Sequence, residues 1–267
     1  MLKYLNVEKE AEICSYMKLS IIVIVRDESA NLEACLKSIG SADEYVVVEH
    51  GSVDDTYARA KALGAIVIQT EDWPGFGPQK NRALNHASAE WVLSIDADER
   101  VTPELMAEIQ IAIRSGRADA YEIPRVTQFC GQWIKHCGWT PDHVLRLFRR
   151  KSARFSDDFV HEKLQLNDPS SRIARLSQPL LHYSYRSPSD YWIKLQRYSQ
   201  DWALQRHLAG KKTSMTRAAL SGLTAFVRSY IFRLGFLDGA MGFAVCTMQA
   251  QAAFGKYFEL YCLDKKL

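Results

Sequence analysis

The chain has 267 residues and a formal charge of only +3 at neutral pH, with 47% hydrophobic and 24% charged residues. This composition is that of an ordinary globular protein, so disorder does not describe the chain as a whole. A charge this small argues against a dedicated nucleic-acid-binding protein, and we expect no nucleic-acid partner. The six cysteines form neither a CxxC pair nor a short secreted framework, which favours a reducing compartment.

Residues 1–18 precede the predicted domain. Their sequence, MLKYLNVEKEAEICSYMK, is charged and lacks a continuous apolar core, so it does not predict a secretory signal. We interpret these residues as an N-terminal extension and expect a cytoplasmic protein.

Four short apolar runs, rich in β-branched residues, alternate with helix-like segments in the first half of the chain. The runs are LSIIVIV (19–25), YVVVE (45–49), AIVIQ (65–69) and WVLSI (91–95). Each has the length and composition of a buried strand. The alternation predicts an α/β fold with a doubly wound, mostly parallel sheet flanked by helices.

The connecting segments have helix start and stop signals. Helices are expected over residues 31–39 and 55–63, each followed by a glycine that can adopt a left-handed cap. A further helix is expected to begin with Thr102 as N-cap and Pro103 as first helical residue, and to run to about Arg114.

Two aspartates, Asp96 and Asp98, follow the fourth run in the sequence VLSIDADERVTPEL. Such a pair also occurs as a plain turn or helix cap, but the helix that follows has its own start signal at Thr102. Ligands of doubly wound sheets bind beyond the carboxyl ends of the strands, where alternate residues of extended backbone share a side. The pair would therefore offer hard oxygen ligands for Mg²⁺ or Mn²⁺ in that crevice.

A second polar segment follows the second run. It consists of Glu49, His50, Gly51 and Ser52. A carboxylate at a strand end can accept hydrogen bonds from ribose hydroxyls, and a glycine permits close backbone approach to a ligand. The turn after the first run, RDESAN, contains no glycine, which excludes the dinucleotide fingerprint and the phosphate-binding P-loop.

The motifs SIIVIVRDESANLEACLKSI, VVVEHGSVDDT, DWPGFGPQKNRALNHA and LSIDADER occur in this order along the chain. Together they resemble the nucleotide-sugar half of family-2 inverting glycosyltransferases. Further on, HCGWTPDHVLRLFRR, FSDDFVHEKL, LLHYSYRSPSDY and FLDGAMGF resemble the bacterial lipopolysaccharide inner-core β-1,4-glucosyltransferases. The likeness covers roughly residues 18–262.

The resemblance implies a GT-A fold over residues 19–187. Residues 19–100 would form the nucleotide-sugar half and residues 101–187 the acceptor half. It also implies a nucleotide-sugar donor, UDP-glucose by preference, and Mg²⁺ or Mn²⁺ held by Asp96 and Asp98, with Asp98 as the direct ligand.

The donor-binding positions implied by the resemblance are Arg26, Glu28, Glu49, His50, Gly51, Ser52, Lys80, Arg82, Asp96, Trp139 and Arg146. Glu49 with His50 replaces the family's usual aspartate motif, and this departure leaves the nucleotide preference open. Lys80 and Arg82 would offset diphosphate charge, with a solvated helix face as the alternative. Trp139 as an ordinary core residue is likewise an alternative.

An inverting transfer needs one base to deprotonate the acceptor hydroxyl. The resemblance assigns this role to Glu162 in the motif DFVHE, with Asp157 and Asp158 as alternatives. His161 would orient or tune the glutamate, or have a purely structural role.

Residues 188–267 predict a helical C-terminal region. Arg228, Arg233 and Asp238 interrupt every window long enough to span a membrane, so no span is expected. The mixture of aromatic, aliphatic and basic residues suits a helix at a membrane surface, although a helix packed on its own domain is the alternative. A metal site at Cys130, His136 and Cys137 is not favoured, because their spacing matches no zinc module.

The resemblance thus implies a metal-dependent inverting glycosyltransferase. By resemblance it would move glucose from UDP-glucose onto a heptose of a lipid A-linked core oligosaccharide, at the cytoplasmic face of the inner membrane. Transfer to a polyprenyl phosphate or another glycan acceptor is one alternative. A catalytically silent nucleotide-sugar-binding module is the other.

Overall fold

The computed structural model describes residues 18–40, 42–157 and 162–266. The chain divides into two compact units. The first contains the residues up to Ile123 together with His143–Leu180, and the second contains Pro124–Asp142 together with the residues from Leu181 onward.

The first unit is built around four parallel strands. They are β1 (Leu19–Val25), β2 (Glu44–Glu49), β3 (Ile66–Gln69) and β4 (Trp91–Ser94), in the sheet order β3-β2-β1-β4. Ile21 of β1 lies between Tyr45 of β2 and Leu93 of β4. The four predicted strands and their parallel pairing are confirmed.

Four helices connect these strands and cover both faces of the sheet. They are α1 (Ser29–Ile39), α2 (Thr56–Ala62), α3 (Phe76–His86) and α4 (Pro103–Ser115). Leu32 of α1 and Ile109 of α4 share one core with Ile21, whereas Ala83 of α3 packs in a second core with Ile22. Because neighbouring residues of β1 face opposite cores, the arrangement is doubly wound, as predicted.

The helix signals at α4 are also confirmed. Thr102 Oγ1 accepts a hydrogen bond from the Leu105 amide at 3.1 Å, and Pro103 is the first helical residue. Gly116 ends the helix in the left-handed conformation, with φ of 58°.

Eight further strands complete the β structure. They are β5 (Glu99–Arg100), β6 (Ala120–Phe129), β7 (Gln132–Ile134), β8 (Asp142–Arg149), β9 (Ala153–Phe155), β10 (Leu164–Leu166), β11 (Ile173–Arg175) and β12 (Leu180–Tyr185). In the first unit, β8 runs antiparallel to β4, and β11 runs parallel to the beginning of β6. The sheet is therefore mixed but mostly parallel at the end that carries the predicted site.

The second unit joins the end of β6 and the antiparallel β7 to three long helical segments. They are α5 (Pro188–Leu208), α6 (Met215–Val227) and α7 (Gly239–Lys265). A π-helical turn at Arg228–Phe232 and a 3-10 turn at Gly235–Asp238 connect α6 to α7.

The prediction assigned residues 188–267 alone to a C-terminal region, whereas the second unit also contains residues 124–142 and 181–187. The reason is a shared core, since Phe129 and Ile134 pack with Tyr191 and Val245. In the part of the chain that the structure describes, no single helix is long and apolar enough to cross a membrane. Met215–Phe232 and Gly235–Lys265 reach that length and composition only as a pair, bent by 73°.

Candidate active site

The loops after β1 and β2 are tied together at the carboxyl ends of the strands. Asp27, with φ of 53°, accepts a hydrogen bond from the Val53 amide at 2.8 Å and donates its own amide to Ser52 Oγ at 3.0 Å. The Ser29 amide donates to Asp54 Oδ2 at 3.1 Å. Hydrogen bonds from Thr56 and Ser29 lower the pKa of the Asp54 carboxyl to about 2, although burial opposes the shift.

Arg26 and Glu28 lie in the first of these loops. The Arg26 side chain is exposed, with its guanidinium 3.6 Å from Asp27. Glu28 accepts a hydrogen bond from Asn31 at 2.6 Å, and its amide donates to Thr56 Oγ1 at 2.9 Å. Arg26 is thus exposed directly after the carboxyl end of β1, while Glu28 helps to fix the loop.

Glu49 is buried, with an exposed fraction of 1%. Its carboxylate accepts hydrogen bonds from the Ser52 amide and, at 3.2 Å, from Gln69 Nε2. Gly51 has φ of 58°, a conformation that favours glycine. The Glu49 carboxylate, which replaces the aspartate usual in the resembled family, therefore orders the loop that carries His50, Gly51 and Ser52. Contact of Glu49 with a nucleoside stays a prediction.

His50 faces an aromatic group in the loop before α3. Its Nδ1 lies 3.2 Å from the Thr70 carbonyl oxygen, and its ring centre lies 5.4 Å from that of Trp73. Trp73 in turn meets Phe76 edge-on at 5.0 Å. Arg82 pairs with Asp72 through two hydrogen bonds of 2.8 and 2.7 Å. Arg82 therefore binds within this loop region rather than at the acidic pair.

Lys80 of α3 is buried at the centre of the site. Its Nζ lies 2.7 Å from Glu162 Oε1 and 3.1 Å from Asp96 Oδ1, and 5.7 Å from the centre of the Phe155 ring. Its exposed fraction is 4%, so the alternative of a solvated helix face is wrong for Lys80. This single ammonium group brings together Asp96 and Glu162.

Arg146 of β8 binds the other side of Asp96. Its Nη2 lies 2.5 Å from Asp96 Oδ2 and 3.0 Å from Glu99 Oε1. Glu99 is fully buried, and its second oxygen accepts a hydrogen bond from the Asp96 amide at 2.9 Å. Glu99 and Arg146 therefore fix both the backbone and the side chain of the first aspartate.

The charges around Asp96 determine its protonation state. Burial alone would raise the pKa of the Asp96 carboxyl, but the charges of Arg146 and Lys80 outweigh it and hold that pKa well below its usual range. The pKa of Arg146 is raised by Asp96 and Glu99 against the opposing effect of burial. Asp96 is thus a carboxylate at every physiological pH.

Asp98 follows Asp96 by two positions in the chain. Asp96 and Asp98 are both partly exposed, whereas Ala97 between them is buried in the core under the sheet. The paired groups Asp96, Glu99, Glu162, Lys80 and Arg146 comprise three carboxylates and two cations. The cluster therefore keeps an excess of negative charge.

Glu162 reaches Lys80 because the chain passes very close to α3. A Cβ atom added to Gly77 would lie 1.8 Å from the Ser156 carbonyl oxygen, so this position has no room for a side chain. Asn81 binds the Phe155 backbone on both sides, accepting from its amide at 3.0 Å and donating to its carbonyl oxygen at 2.9 Å. Gly77 and Asn81 of the PGFGPQKN motif therefore hold the chain at residues 155–156 against α3, and this packing supports the position of Glu162.

Two predicted residues, Asp158 and His161, lie outside the described residues, and their roles stay predictions. Asp157 is described and exposed. Sequence reasoning missed Glu99 and Asn81. The signal for each was its place beside a recognised motif, directly after DAD and directly after Lys80.

Trp139 belongs to the second unit, whereas Arg146 belongs to the first. The Trp139 ring lies 5.6 Å from that of Tyr185 and 6.0 Å from that of Phe129. It also lines a cleft of about 380 Å³ within this unit. The other lining residues are Arg125, Thr127, Gly138, Asp142, His182, Ser184, Tyr185 and Tyr191.

His136 and Cys137 both contact Asp238, the residue before α7. His136 Nδ1 lies 2.9 Å from Asp238 Oδ1, and the Cys137 thiol is buried near the same carboxylate. Within residues 18–40, 42–157 and 162–266, no group of three or more His, Cys, Asp or Glu side chains is arranged to hold a metal on its own.

Residues 20–165, more than half of the chain, match the protein family described as glycosyl transferase family 2. The chain belongs to this family. An uncharacterized glycosyltransferase, RP128 of Rickettsia prowazekii (strain Madrid E), is 31% identical over 259 residues, which cover 93% of this chain and 88% of the relative. The lipopolysaccharide core biosynthesis glycosyltransferase LpsC of Rhizobium meliloti (strain 1021) is 29% identical, with 92% of both chains covered.

A solved structure of a mycobacterial protein aligns with this one at a TM-score of 0.50 and 16% identity. The alignment covers 70% of this chain and 76% of the other, and it shows a shared fold. The doubly wound sheet with an acidic pair after β4 is the GT-A arrangement expected of this family. The protein is therefore a glycosyltransferase, and the residues gathered around Lys80 form its candidate active site.

Proposed function

We propose that this glycosyltransferase moves glucose from UDP-glucose onto a heptose of the lipopolysaccharide inner core, with inversion at the anomeric carbon. The observation that carries the proposal is the buried ammonium group of Lys80, which holds Asp96 and Glu162 together at the carboxyl ends of the strands. The similarity to LpsC, a protein of lipopolysaccharide core biosynthesis by name, supports the acceptor. The motif resemblance supports the donor.

The transfer is a displacement at the anomeric carbon of the donor. The Glu162 carboxylate takes the proton of the acceptor hydroxyl, and the hydroxyl oxygen forms the new bond to that carbon. The bond from the anomeric carbon to the diphosphate oxygen breaks, and the diphosphate leaves with the electron pair. Lys80 places the base beside Asp96, and the exposed Arg26 after β1 would supply positive charge for the diphosphate.

The acidic pair suits a divalent cation. Its donors are hard carboxylate oxygens, and the cluster around them has an excess of negative charge. Both Asp96 oxygens are bound by Lys80 and Arg146, and the motif resemblance makes Asp98 the direct ligand. When bound, Mg²⁺ or Mn²⁺ would neutralise charge that develops on the departing diphosphate.

The cleft of the second unit suits a sugar of the acceptor. Aromatic side chains such as Trp139 and Tyr185 offer apolar faces for a sugar ring, and Arg125, Asp142 and His182 offer hydrogen-bonding groups. A lipid A-linked acceptor further implies work at the cytoplasmic face of the inner membrane. Both assignments are parts of the same proposal.

The test is release of nucleoside diphosphate by the purified protein with Mn²⁺ or Mg²⁺ and a panel of nucleotide sugars. Each donor is assayed with and without deacylated inner-core oligosaccharide. We expect release from UDP-glucose that the oligosaccharide stimulates, and loss of that release in Asp98→Asn. The Glu90→Gln variant is the matched control, because Glu90 pairs with Arg149 at the surface of the same unit.

Three outcomes contradict the proposal in different parts. Stimulation by polyprenyl phosphate instead of the oligosaccharide overturns the acceptor. Release from another nucleotide sugar overturns the donor. Metal-dependent binding of donors without any turnover overturns the enzyme and indicates a silent nucleotide-sugar-binding module.

A further inference from the structure

Exposed apolar side chains are concentrated where α6 meets α7. Between residues 231 and 237, five of the seven residues are large, apolar and 45 to 75% exposed. They are Ile231, Phe232, Leu234, Phe236 and Leu237. We call residues 231–237 the apolar bend. Leu223 of α6 and Phe243 of α7 are exposed near it in the chain.

The backbone of the apolar bend is held firmly within the second unit. The Arg233 carbonyl oxygen accepts a hydrogen bond from the Cys137 amide at 3.1 Å. A Cβ atom added to Gly235 would lie 2.5 Å from Cys246 Sγ, and one added to Gly242 would lie 1.9 Å from the Gly235 carbonyl oxygen. The backbone of the bend therefore packs against the rest of the second unit, while the large apolar side chains of the bend are exposed to solvent.

Three backbone amides of the bend, those of Arg233, Leu234 and Leu237, donate hydrogen bonds within the chain. The Arg233 amide donates to the Arg228 carbonyl oxygen at 2.8 Å, and the Leu237 amide donates to that of Leu234 at 2.9 Å. Unsatisfied backbone groups are what prevents most loops from entering a lipid environment. Where the amides of the bend donate these backbone hydrogen bonds, no unsatisfied amide opposes entry into lipid.

The residues next to the bend include two basic side chains. Arg228, at the start of the π-helical turn, and Arg233, within the bend, are both exposed. Between residues 228 and 240 the sequence contains one acidic residue, Asp238. Asp238 is bound inside the unit and does not add negative charge to the surface. Its carboxylate accepts a hydrogen bond from the His136 amide at 2.8 Å, and its side chain is only 8% exposed.

We propose that the apolar bend inserts into the surface of an anionic lipid membrane, with Arg228 and Arg233 bound to its headgroups. Exposed aromatic and aliphatic side chains among basic residues are the combination that interfacial segments use. A second copy of this chain fits poorly, because it would bring two sets of like charges together.

The insertion is shallow rather than a crossing of the membrane. The two helical segments on either side of the bend differ in direction by 73° and pack on each other. Ser221 Oγ donates to the Ala253 carbonyl oxygen at 2.8 Å, and the absence of a side chain at Gly222 lets Phe254 approach. This packing keeps α6 and α7 together and leaves the bend as the part that enters lipid.

Insertion of the bend would bring the protein to a lipid-linked acceptor, and this role of the insertion rests on the proposed function. Membrane binding itself is measured without donor or acceptor. A failure of the lipid experiment therefore leaves the transferase assay untouched, and the reverse also holds.

The experiment is flotation of the full chain with vesicles of phosphatidylcholine alone and of phosphatidylcholine mixed with phosphatidylglycerol. We expect binding to the mixed vesicles that weakens with added salt. The double variant Phe232→Glu with Leu237→Glu should lose about a hundredfold in partitioning, since two exposed apolar side chains no longer enter lipid. The matched control is Ile111→Glu with Ile173→Glu, which changes two exposed isoleucines of the first unit.

A charge variant keeps the test decisive if the glutamate variant fails to fold. Arg228→Gln with Arg233→Gln retains every apolar side chain and should lose about 30-fold in binding to the mixed vesicles. Wild-type protein that does not float with mixed vesicles overturns the proposal. So does full binding by either bend variant. Light scattering that shows a dimer dissolved by the glutamate variant, without vesicle binding, would instead make the bend an interface between copies.

Discussion

Replacing Arg146 with methionine removes the cation that joins Asp96 to the fully buried Glu99. Methionine keeps much of the apolar volume, so the change isolates the charge. The Arg146 side chain is 9% exposed and that of Glu99 is 0% exposed, whereas that of Asp96 is 34% exposed. The loss should therefore come mainly from the Glu99 side of the network, because solvent screens the Asp96 pair.

The expected cost follows from this burial. Removing one partner of a buried ion pair costs about 3–5 kcal/mol, since the other charge is left without that partner in the interior. For a unit of this size the melting temperature should fall by roughly 10 °C. The Asp96 carboxyl has a depressed pKa in the folded protein, so its contribution is complete at neutral pH. It is lost as the pH falls below about 4 toward the lower folded value.

The assay is thermal and urea unfolding of the wild type and two arginine variants at several pH values. Arg149→Met is the matched control on the same strand, because Arg149 pairs with Glu90 at the surface and its side chain is 28% exposed. This control should cost about 1 kcal/mol, including the contact of Arg149 with the Trp91 ring. Adding Glu99→Gln to Arg146→Met should restore part of the stability. Equal losses in the two arginine variants would refute the account of the buried network.

Three further predictions concern the support of the site and its loops. Gly77→Ala should destabilise the protein by about 1–3 kcal/mol and lower the turnover rate, because the new Cβ meets the Ser156 carbonyl oxygen; unfolding curves and donor turnover check both effects. Asn81→Ala should cost about 2–4 kcal/mol in urea unfolding, since it leaves the Phe155 amide and carbonyl oxygen buried without this partner; a loss under 1 kcal/mol would contradict that reasoning. Asp54→Asn should remove the part of the acid sensitivity that lies between about pH 4 and 2, because the folded pKa of Asp54 is depressed to about 2; an unchanged acid unfolding curve would count against it.

The sheet was predictable because its signals are local. The runs at β1 to β4 are short and β-branched, and Thr102 with Pro103 marks the start of α4, so each element could be located within one or two residues. The crevice position of Asp96 followed from the general geometry of parallel sheets.

The contacts within the site were not predictable, because they join residues far apart in the chain. Glu162 lies 82 positions from Lys80, and Arg146 lies 50 positions from Asp96. Hydrophobic periodicity and helix caps are local signals, so they do not indicate contacts between residues this far apart in the chain. The burial of Glu49 also escaped prediction, because its partner Gln69 comes from the neighbouring strand.

The division into two units was predicted at a different place for a similar reason. The sequence analysis assigned Phe129 and Ile134 to the acceptor half, residues 101–187. Their packing partners Tyr191 and Val245 come from later helices. Shared burial, rather than order along the chain, assigns residues 124–142 to the second unit.

The measurement that tests the central claim most directly is the anomeric configuration and rate of a single turnover. UDP-glucose and deacylated inner-core oligosaccharide are mixed with excess protein, and the product is followed by proton NMR for the wild type and for Glu162→Gln. The account predicts a β-linked product from the α-linked donor. It also predicts a rate lowered by about 10²- to 10⁴-fold in the variant, with donor binding retained. An α-linked product, or a variant that turns over at the wild-type rate, would contradict it.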